Sequence, residues 1–269
     1  MSRDVDVEHV DGIASANGGS STVNRAIALL EALSDAPPEG LGVSELSTRI
    51  GANRSTVYRI LGVLRPFGYV RDGSQAGTVR LGFRIVELGE RVLGQLDVRR
   101  IAAPHIRKLA ITTGETCHLA ALDGNHVVYT DKAESPQSIR LHSTLGMRMP
   151  IHCTSLGKAF LAAMTPAARS RLLDSISFTK KTEHTITDRL ELERELVIIR
   201  ERGWAADLGE NEAGTRCVGA AIVGRDNMPV AAVSASGPAS RMSDANINEY
   251  GPLVWQTAQV ISQELGHLS

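Results

Sequence analysis

Cysteine is scarce in this chain of 269 residues: Cys117, Cys153 and Cys217 stand far apart. An odd, dispersed set argues against a disulfide framework or a clustered zinc site and fits a reducing cytoplasm. Aromatic residues make up only 4%, which weighs against an aromatic cage around a ligand while leaving an aromatic acid open. No run of eighteen apolar residues occurs, and the first twenty residues carry Asp4, Asp6, Glu8 and Asp11 without an apolar stretch, so neither a membrane span nor an export signal is expected. Gly-x-Ser-x-Gly, His-Glu-x-x-His and phosphate-loop patterns are also missing, and no metal or cofactor is expected. The pairs Cys117-His118 and His152-Cys153 raise the alternative of an enzyme using a thiolate or a metal. Adjacent residues of a strand point to opposite faces, however, so neither pair is placed to act on one substrate.

The chain also lacks net charge, at -1 overall, and that total hides a lopsided distribution. Between positions 49 and 84 stand seven arginines, Arg49, Arg54, Arg59, Arg65, Arg71, Arg80 and Arg84, against one acid, Asp72. Such a window is either a solvated basic face or a phosphate-binding surface, and the pattern beneath it decides. Residues 1 to 20 are polar, end in a Gly/Ser run and read as a flexible tail. A helix follows from a cap at Ser21 or Thr22, with Val23, Ile27, Leu30 and Leu33 on one face, and stops before Pro37 and Pro38. Ser44 is placed to cap a second helix with Leu46 and Ile50 inward, Gly51 breaks it, and a third runs from about Asn53 to Leu64 with Val57, Ile60, Leu61 and Leu64 inward. The face left over shows Arg54, Ser55, Thr56, Tyr58 and Arg59: donors and a ring suited to phosphates and base edges in a major groove. Tyr69-Val70-Arg71 and Thr78-Val79-Arg80-Leu81 flank a Gly-rich turn as a β-hairpin. A hairpin directly after a helix-turn-helix is a wing, and it puts Arg71 and Arg80 where they reach the DNA backbone. Double-stranded DNA is the expected partner.

From Phe83 the pattern becomes helical, with Ile85, Leu88 and Val92 inward, and a further helix covers about Val98 to Ala110. Strands are expected over 115–122, 126–132, 138–143, 204–207, 217–223 and 229–236, with turns at Asp123-Gly124-Asn125 and Gly224-Arg225-Asp226-Asn227. Helices are expected near 155–164, 166–175, 187–202 and 243–266. Antiparallel strands with segregated helices make an α+β domain. The domain plan is thus a tail (1–20), a winged helix-turn-helix (21–83), a linker helix (84–97) and an α+β domain (98–269). In the last of these, Thr154-Ser155-Leu156-Gly157 opens a helix whose free N–H groups favour a carboxylate, and Ser234 and Ser236 share one face of a strand. Read singly, each has a duller role, the serines as caps and Cys217 as a small core residue.

The residues Val23-Asn24-Arg25-Ala26, Ser44-Glu45-Leu46, Ser55-Thr56-Val57-Tyr58-Arg59-Ile60-Leu61, Gly68-Tyr69-Val70 and Leu81-Gly82-Phe83 together resemble the IclR family of bacterial regulators. The likeness continues in order through Gly114-Glu115-Thr116, Val128-Tyr129-Thr130-Asp131-Lys132, Pro150-Ile151-His152, Leu156-Gly157-Lys158-Ala159, Arg202-Gly203-Trp204, Gly214-Thr215-Arg216-Cys217 and Ser234-Ala235-Ser236-Gly237-Pro238. It departs at Gly209, where many members carry an acid, and at Ala221, where a proline is usual. The resemblance implies a GAF-like effector domain. It also implies that Ser155, Leu156, Asp207, Cys217, Ser234 and Ser236 line the effector site, with Leu141 as an apolar wall. The function expected is a cytoplasmic, ligand-responsive repressor acting as a homodimer or a dimer of dimers on a pseudo-palindromic operator and sensing a small organic acid. A DNA-organising protein without a ligand is the other alternative.

Overall fold

A computed structural model describes residues 22–94 and 97–267. The tail at 1–20 and the cap at Ser21 lie outside the described residues. The chain divides into two compact units, one ending at Val92 and the other beginning at Leu93.

The first unit holds α1 (Thr22–Ser34), β1 (Leu41–Gly42), α2 (Val43–Arg49), α3 (Arg54–Leu64), β2 (Val70–Asp72) and β3 (Thr78–Leu81), and α4 (Phe83–Gly94) leads out of it. The strands form an antiparallel sheet in the order β1-β3-β2. Gly51, at φ +60°, turns the chain between α2 and α3, and Asn53 starts α3 by accepting the Thr56 N–H at 2.9 Å. Val57, Ile60 and Leu61 of α3 then bury against Leu46 of α2, Leu29 and Leu33 of α1, and Val70 and Val79 of the wing. Each such side chain stabilises the unit by about 1.5–3 kcal/mol.

Several expectations are corrected here. In α1 the inner face is Leu29 and Leu33, whereas Val23 and Ile27 are exposed. Apolar residues run most of the way round that helix, so spacing alone does not select its buried side. Ser44 is not the cap of α2: Gly42, arriving from β1, holds that position without a side-chain bond. In α4, Ile85 and Leu88 are half-buried and Val92 is exposed, so the inward stripe is absent among its described side chains.

The second unit runs α5 (Asp97–Thr113), β4 (Thr116–Asp123), β5 (His126–Ala133), β6 (Arg148–Pro150), α6 (Ser155–Ala163), α7 (Pro166–Asp174), α8 (Arg189–Arg202), β7 (Ala205–Asp207), β8 (Thr215–Val223), β9 (Pro229–Pro238) and α9 (Asp244–Glu264). Its sheet has the order β6-β5-β4-β9-β8-β7, and every pair is antiparallel. The alternation of strand side chains splits the core in two. On one face Leu119, Val218, Ile222 and Val233 pack with Ile106 of α5 and Val254 and Ile261 of α9. On the other, Ala120, Val127 and Ala232 meet Phe160 and Leu161 of α6 and Leu192 and Leu196 of α8. The strand expected over 138–143 is not formed: those residues are irregular, and β6 at Arg148–Pro150 pairs with β5 instead. That segment begins at Glu134-Ser135-Pro136, which turns the chain out of the sheet before it returns.

Candidate functional site

On α3, Arg54, Ser55, Tyr58 and Arg59 are exposed. Thr56 is not on that face: it is only 9% exposed, because it follows the cap on the inward side next to Val57. The seven arginines divide by what they touch. Arg49 pairs with Glu45 at 2.7 Å, Arg65 with Asp72 at 2.8 Å and Arg84 with Glu87 at 2.7 Å. Arg71 and Arg80 face each other across the wing. Each donates through Nε to a wing carbonyl, of Leu81 at 3.3 Å and of Asp72 at 3.2 Å, and Arg71 also lies over the Phe83 ring at 4.1 Å. Arg54 and Arg59 have no ion-pair or hydrogen-bond partner among the described residues. The two uncommitted guanidinium groups thus stand on the outer face of the second helix of a helix-turn-helix, with two preoriented ones on the wing.

The second unit contains a cavity of about 70 Å³ on the α6 face of its sheet. β7, β8 and β9 set its floor: Asp207 lies opposite Cys217 and Cys217 opposite Ser236. Ser234, two residues along β9, faces the same side with its Oγ 3.4 Å from that of Ser236, while Val233 and Ala235 point into the opposite core. One wall is the start of α6, where the Thr154 hydroxyl accepts the Gly157 N–H at 3.1 Å. The Ser155 and Leu156 amides come first in the helix and have no acceptor one turn back. Gly219 allows this approach, since a Cβ there would meet the Ser155 carbonyl carbon at 2.9 Å. All seven residues named from the sequence, Leu141, Ser155, Leu156, Asp207, Cys217, Ser234 and Ser236, line the one cavity. Leu141 comes from the irregular stretch rather than a strand.

Ten further residues line it that the sequence reading does not give as ligand contacts, and they begin with His118 of β4 and Tyr129 of β5. The alternation of β4 and β5 was the available signal for the first two. His118 is 1% exposed, stacks on Tyr129 at 4.3 Å and shares a hydrogen bond of 2.9 Å between its Nε2 and the Ser143 hydroxyl. Burial, aided by the Lys132 charge, lowers its pKa to about 4, so the ring is neutral at pH 7. Cys117, its neighbour in sequence, lies in the opposite core. His152 and Cys153 stand in an irregular bend rather than a strand, and His152 Nε2 contacts the Thr179 carbonyl at 3.1 Å.

Burial raises the Asp207 carboxyl to about 6 even though its Oδ1 accepts the Glu210 N–H at 2.7 Å and the Gly209 N–H at 3.1 Å. The following loop is anchored by a buried ion pair between Lys158 of α6 and Glu210. The Thr182 and Thr185 hydroxyls donate to the Gly209 and Glu210 carbonyls, each at 2.6 Å. Burial pushes Glu210 up to about 7 against the pull of Lys158. A sheet floor of hydroxyls, a helix start and a carboxyl near neutrality can hold a compact polar ligand. The volume is well below the several hundred Å³ usual for drug-sized ligands. Among the described residues no helix is long and apolar enough to cross a membrane.

A winged helix-turn-helix with free arginines, in one chain with an α+β domain built around a polar cavity, defines a DNA-binding transcriptional regulator with an effector domain. Residues 22–73 match the IclR helix-turn-helix domain, and residues 90–263 match the bacterial transcriptional regulator IclR C-terminal domain. The chain belongs to the IclR family, whose members are not enzymes. It is 34% identical over 247 residues to the HTH-type transcriptional regulator KdgR of Dickeya chrysanthemi, spanning 92% of this chain and 80% of that one. It is 31% identical over 251 residues to the HTH-type transcriptional repressor AllR of Escherichia coli K12, spanning 93% and 92%. Its structure is similar to that of the Thermotoga maritima IclR, with a TM-score of 0.80 and 35% identity over 91% of this chain and 99% of that one. It is also similar to an IclR homolog from Microbacterium hydrocarbonoxydans complexed with 4-hydroxybenzoate, with a TM-score of 0.76 and 25% identity over 91% and 99%.

Proposed function

We propose that this IclR-family regulator is a cytoplasmic repressor that binds a pseudo-palindromic operator and changes its affinity for that DNA when a small organic acid enters the cavity. In this reading residues 21–83 hold the DNA, residues 84–97 link, and residues 98–269 sense. The observation that carries it is the pair Arg54 and Arg59, exposed on α3 with no partner among the described residues while their five neighbours in the basic window are engaged. Arg59 reads base edges, Arg71 and Arg80 hold the backbone, and Tyr58, 63% exposed, offers its ring beside them. A ligand carboxylate takes the Ser155 and Leu156 amides at the start of α6, with Ser234, Ser236 and Cys217 beneath it and Leu141 at the side. The repressor sense follows that of relatives such as AllR, and the acid agrees with the 4-hydroxybenzoate carried by one structural neighbour. A homodimer, or a dimer of dimers, is supported by Val23 and Ile27 of α1 and Val86 of α4, apolar side chains left exposed within the first unit.

Footprinting on the promoter beside the protein's own gene, across a salt series and with small carboxylates titrated in, tests the reading. Protection of two half-sites roughly 10 base pairs apart or a multiple of it, weakening steeply with salt, is the expected result. Retention that ignores salt, or a footprint that no carboxylate alters, would overturn the DNA or the effector half respectively.

A further inference from the structure

Along α5, Val98, Ala102, Ile106 and Leu109 enter the core of the second unit. The helical turn therefore carries Arg100, Arg107, Lys108 and Ile111 to the opposite side, within an arc of about 100°. All four are exposed, Ile111 at 81%, and Asp97 in the first turn is the one acid of the helix. The side chains of Arg100, Arg107 and Lys108 have no ion-pair or hydrogen-bond partner among the described residues. Their neighbours in the helix are engaged: Arg99 pairs with Asp131 at 3.8 Å, and His105 Nε2 lies 3.0 Å from Glu264. Among the described residues, no other helix or strand of this unit carries more than one such unengaged cation. From Leu93 onward the chain has as many lysines and arginines as aspartates and glutamates, so the stripe is a local excess of charge and not a share of a general one.

We infer that Arg100, Arg107 and Lys108 form a second DNA-binding surface, with which the effector unit holds the backbone of duplex lying outside the half-sites read by the winged helix. The charge complementarity is to the polyanion this regulator already binds. α5 is also the element of the second unit nearest the DNA-holding unit along the chain, since Asp97 follows the end of α4 by three positions. From Arg100 to Lys108 the helix rises about 12 Å, a length over which one DNA strand offers about three phosphates. Phosphate contacts carry no base information, so the surface adds affinity and salt dependence without changing operator preference. The inference rests on the DNA half of the proposed function and goes beyond it by giving the effector unit a DNA contact of its own.

Anisotropy titrations of the full chain across a salt series test this, using the operator half-sites alone and the same half-sites extended by about two helical turns of unrelated sequence on each side. The unaltered protein should show a salt slope steeper on the extended duplex by about 2.7 for each α5 engaged, so that its advantage there shrinks about fortyfold between about 50 and 200 mM salt. Arg100→Gln with Arg107→Gln and Lys108→Gln should remove that advantage and leave binding to the short duplex unchanged. Arg171→Gln with Lys180→Gln and Arg194→Gln removes the same charge elsewhere on the unit and should change neither. All six side chains are exposed, so neither triple variant should shift thermal unfolding. Equal slopes on the two duplexes, or an advantage that survives the α5 triple, would overturn the inference while leaving the winged helix's binding in place. An equal loss on both duplexes, or an altered molecular mass of the α5 triple in light scattering, would overturn it as well, by showing a general charge effect or an interface between copies. Ile111→Ser should change neither slope; loss of the advantage there would mark an apolar, protein-type contact and sink the DNA assignment. Failure to bind even the short duplex would remove both readings.

Discussion

The two units place their charges oppositely. In the winged helix, arginines stand at the surface, joined to exposed acids or to the wing's own carbonyls, and two on α3 are left open. In the effector unit the decisive titratable groups are inside: Lys158 and Glu210 form a buried pair, and Asp207 and the neutral His118 are nearly inaccessible beside the cavity. The difference follows from the partners. A polyanion is bound by displacing its counterions, which requires many exposed cations and makes salt the controlling variable. A small ligand is recognised where water is excluded, which makes protonation the controlling variable.

The contrast is broken most severely at Lys158. Lys158→Met should cost the effector unit about 3–5 kcal/mol in urea unfolding by stranding Glu210, and Lys158→Met combined with Glu210→Leu should recover much of the loss. A single variant as stable as the parent would show that the pair carries no weight. Next in size is Arg59→Ala, expected to remove about 1–3 kcal/mol of discrimination between operator and random DNA. Arg80→Ala should instead weaken binding to both and lower the salt slope by roughly one unit. Equal loss of specificity in the two variants would contradict the division of roles between helix and wing.

Protonation should separate the units at a smaller scale. The Asp207 carboxyl is raised by burial from 3.8 to about 6. Its contribution to effector-unit stability is therefore full below its unfolded value and is lost as pH rises through about 6. A ligand carboxylate beside Asp207 favours the protonated form, so acid binding should strengthen by up to about tenfold per pH unit as pH falls from 8 toward 6. Asp207→Asn should flatten that dependence in calorimetry, and affinity that rises with pH in the unaltered protein would refute it. The smallest effect is at the wing base. Phe83→Ala removes the ring under Arg71 and should weaken DNA binding by about 0.5–1 kcal/mol, alike for all sequences; a change in sequence preference would place Arg71 among the base readers.

Much of this was legible before any coordinates. Helix spacing gave Val57, Ile60 and Leu61 as the buried side of α3, and the Gly-rich turn between two short β-branched runs gave the wing. Alternation in β9 paired Ser234 with Ser236, and the ordered family blocks brought Asp207 and Cys217 to them. The failures have physical causes. α1 is apolar on most of its circumference, so its buried face depended on where α2 and the wing lie. Thr56 reads as a donor in sequence, yet as the residue bonded to the Asn53 cap it is fixed on the inward side.

The sequence by itself determined the order of elements, the basic window and the kinds of side chain that gather in the cavity, because periodicity, turn chemistry and charge are local properties. Only the tertiary structure decided which charges are spent and which are open, since Arg49, Arg65 and Arg84 resemble Arg54 and Arg59 until their partners are seen. It decided the far wall of the cavity as well. A bulge leaves Thr130 unpaired between Leu119–Asp131 and Ala120–Tyr129, so that Tyr129 and Lys132, rather than Tyr129 and Asp131, come to the His118 side. A one-residue shift reverses every later side chain of a strand, and the partner strand, not the local sequence, determines where that shift falls.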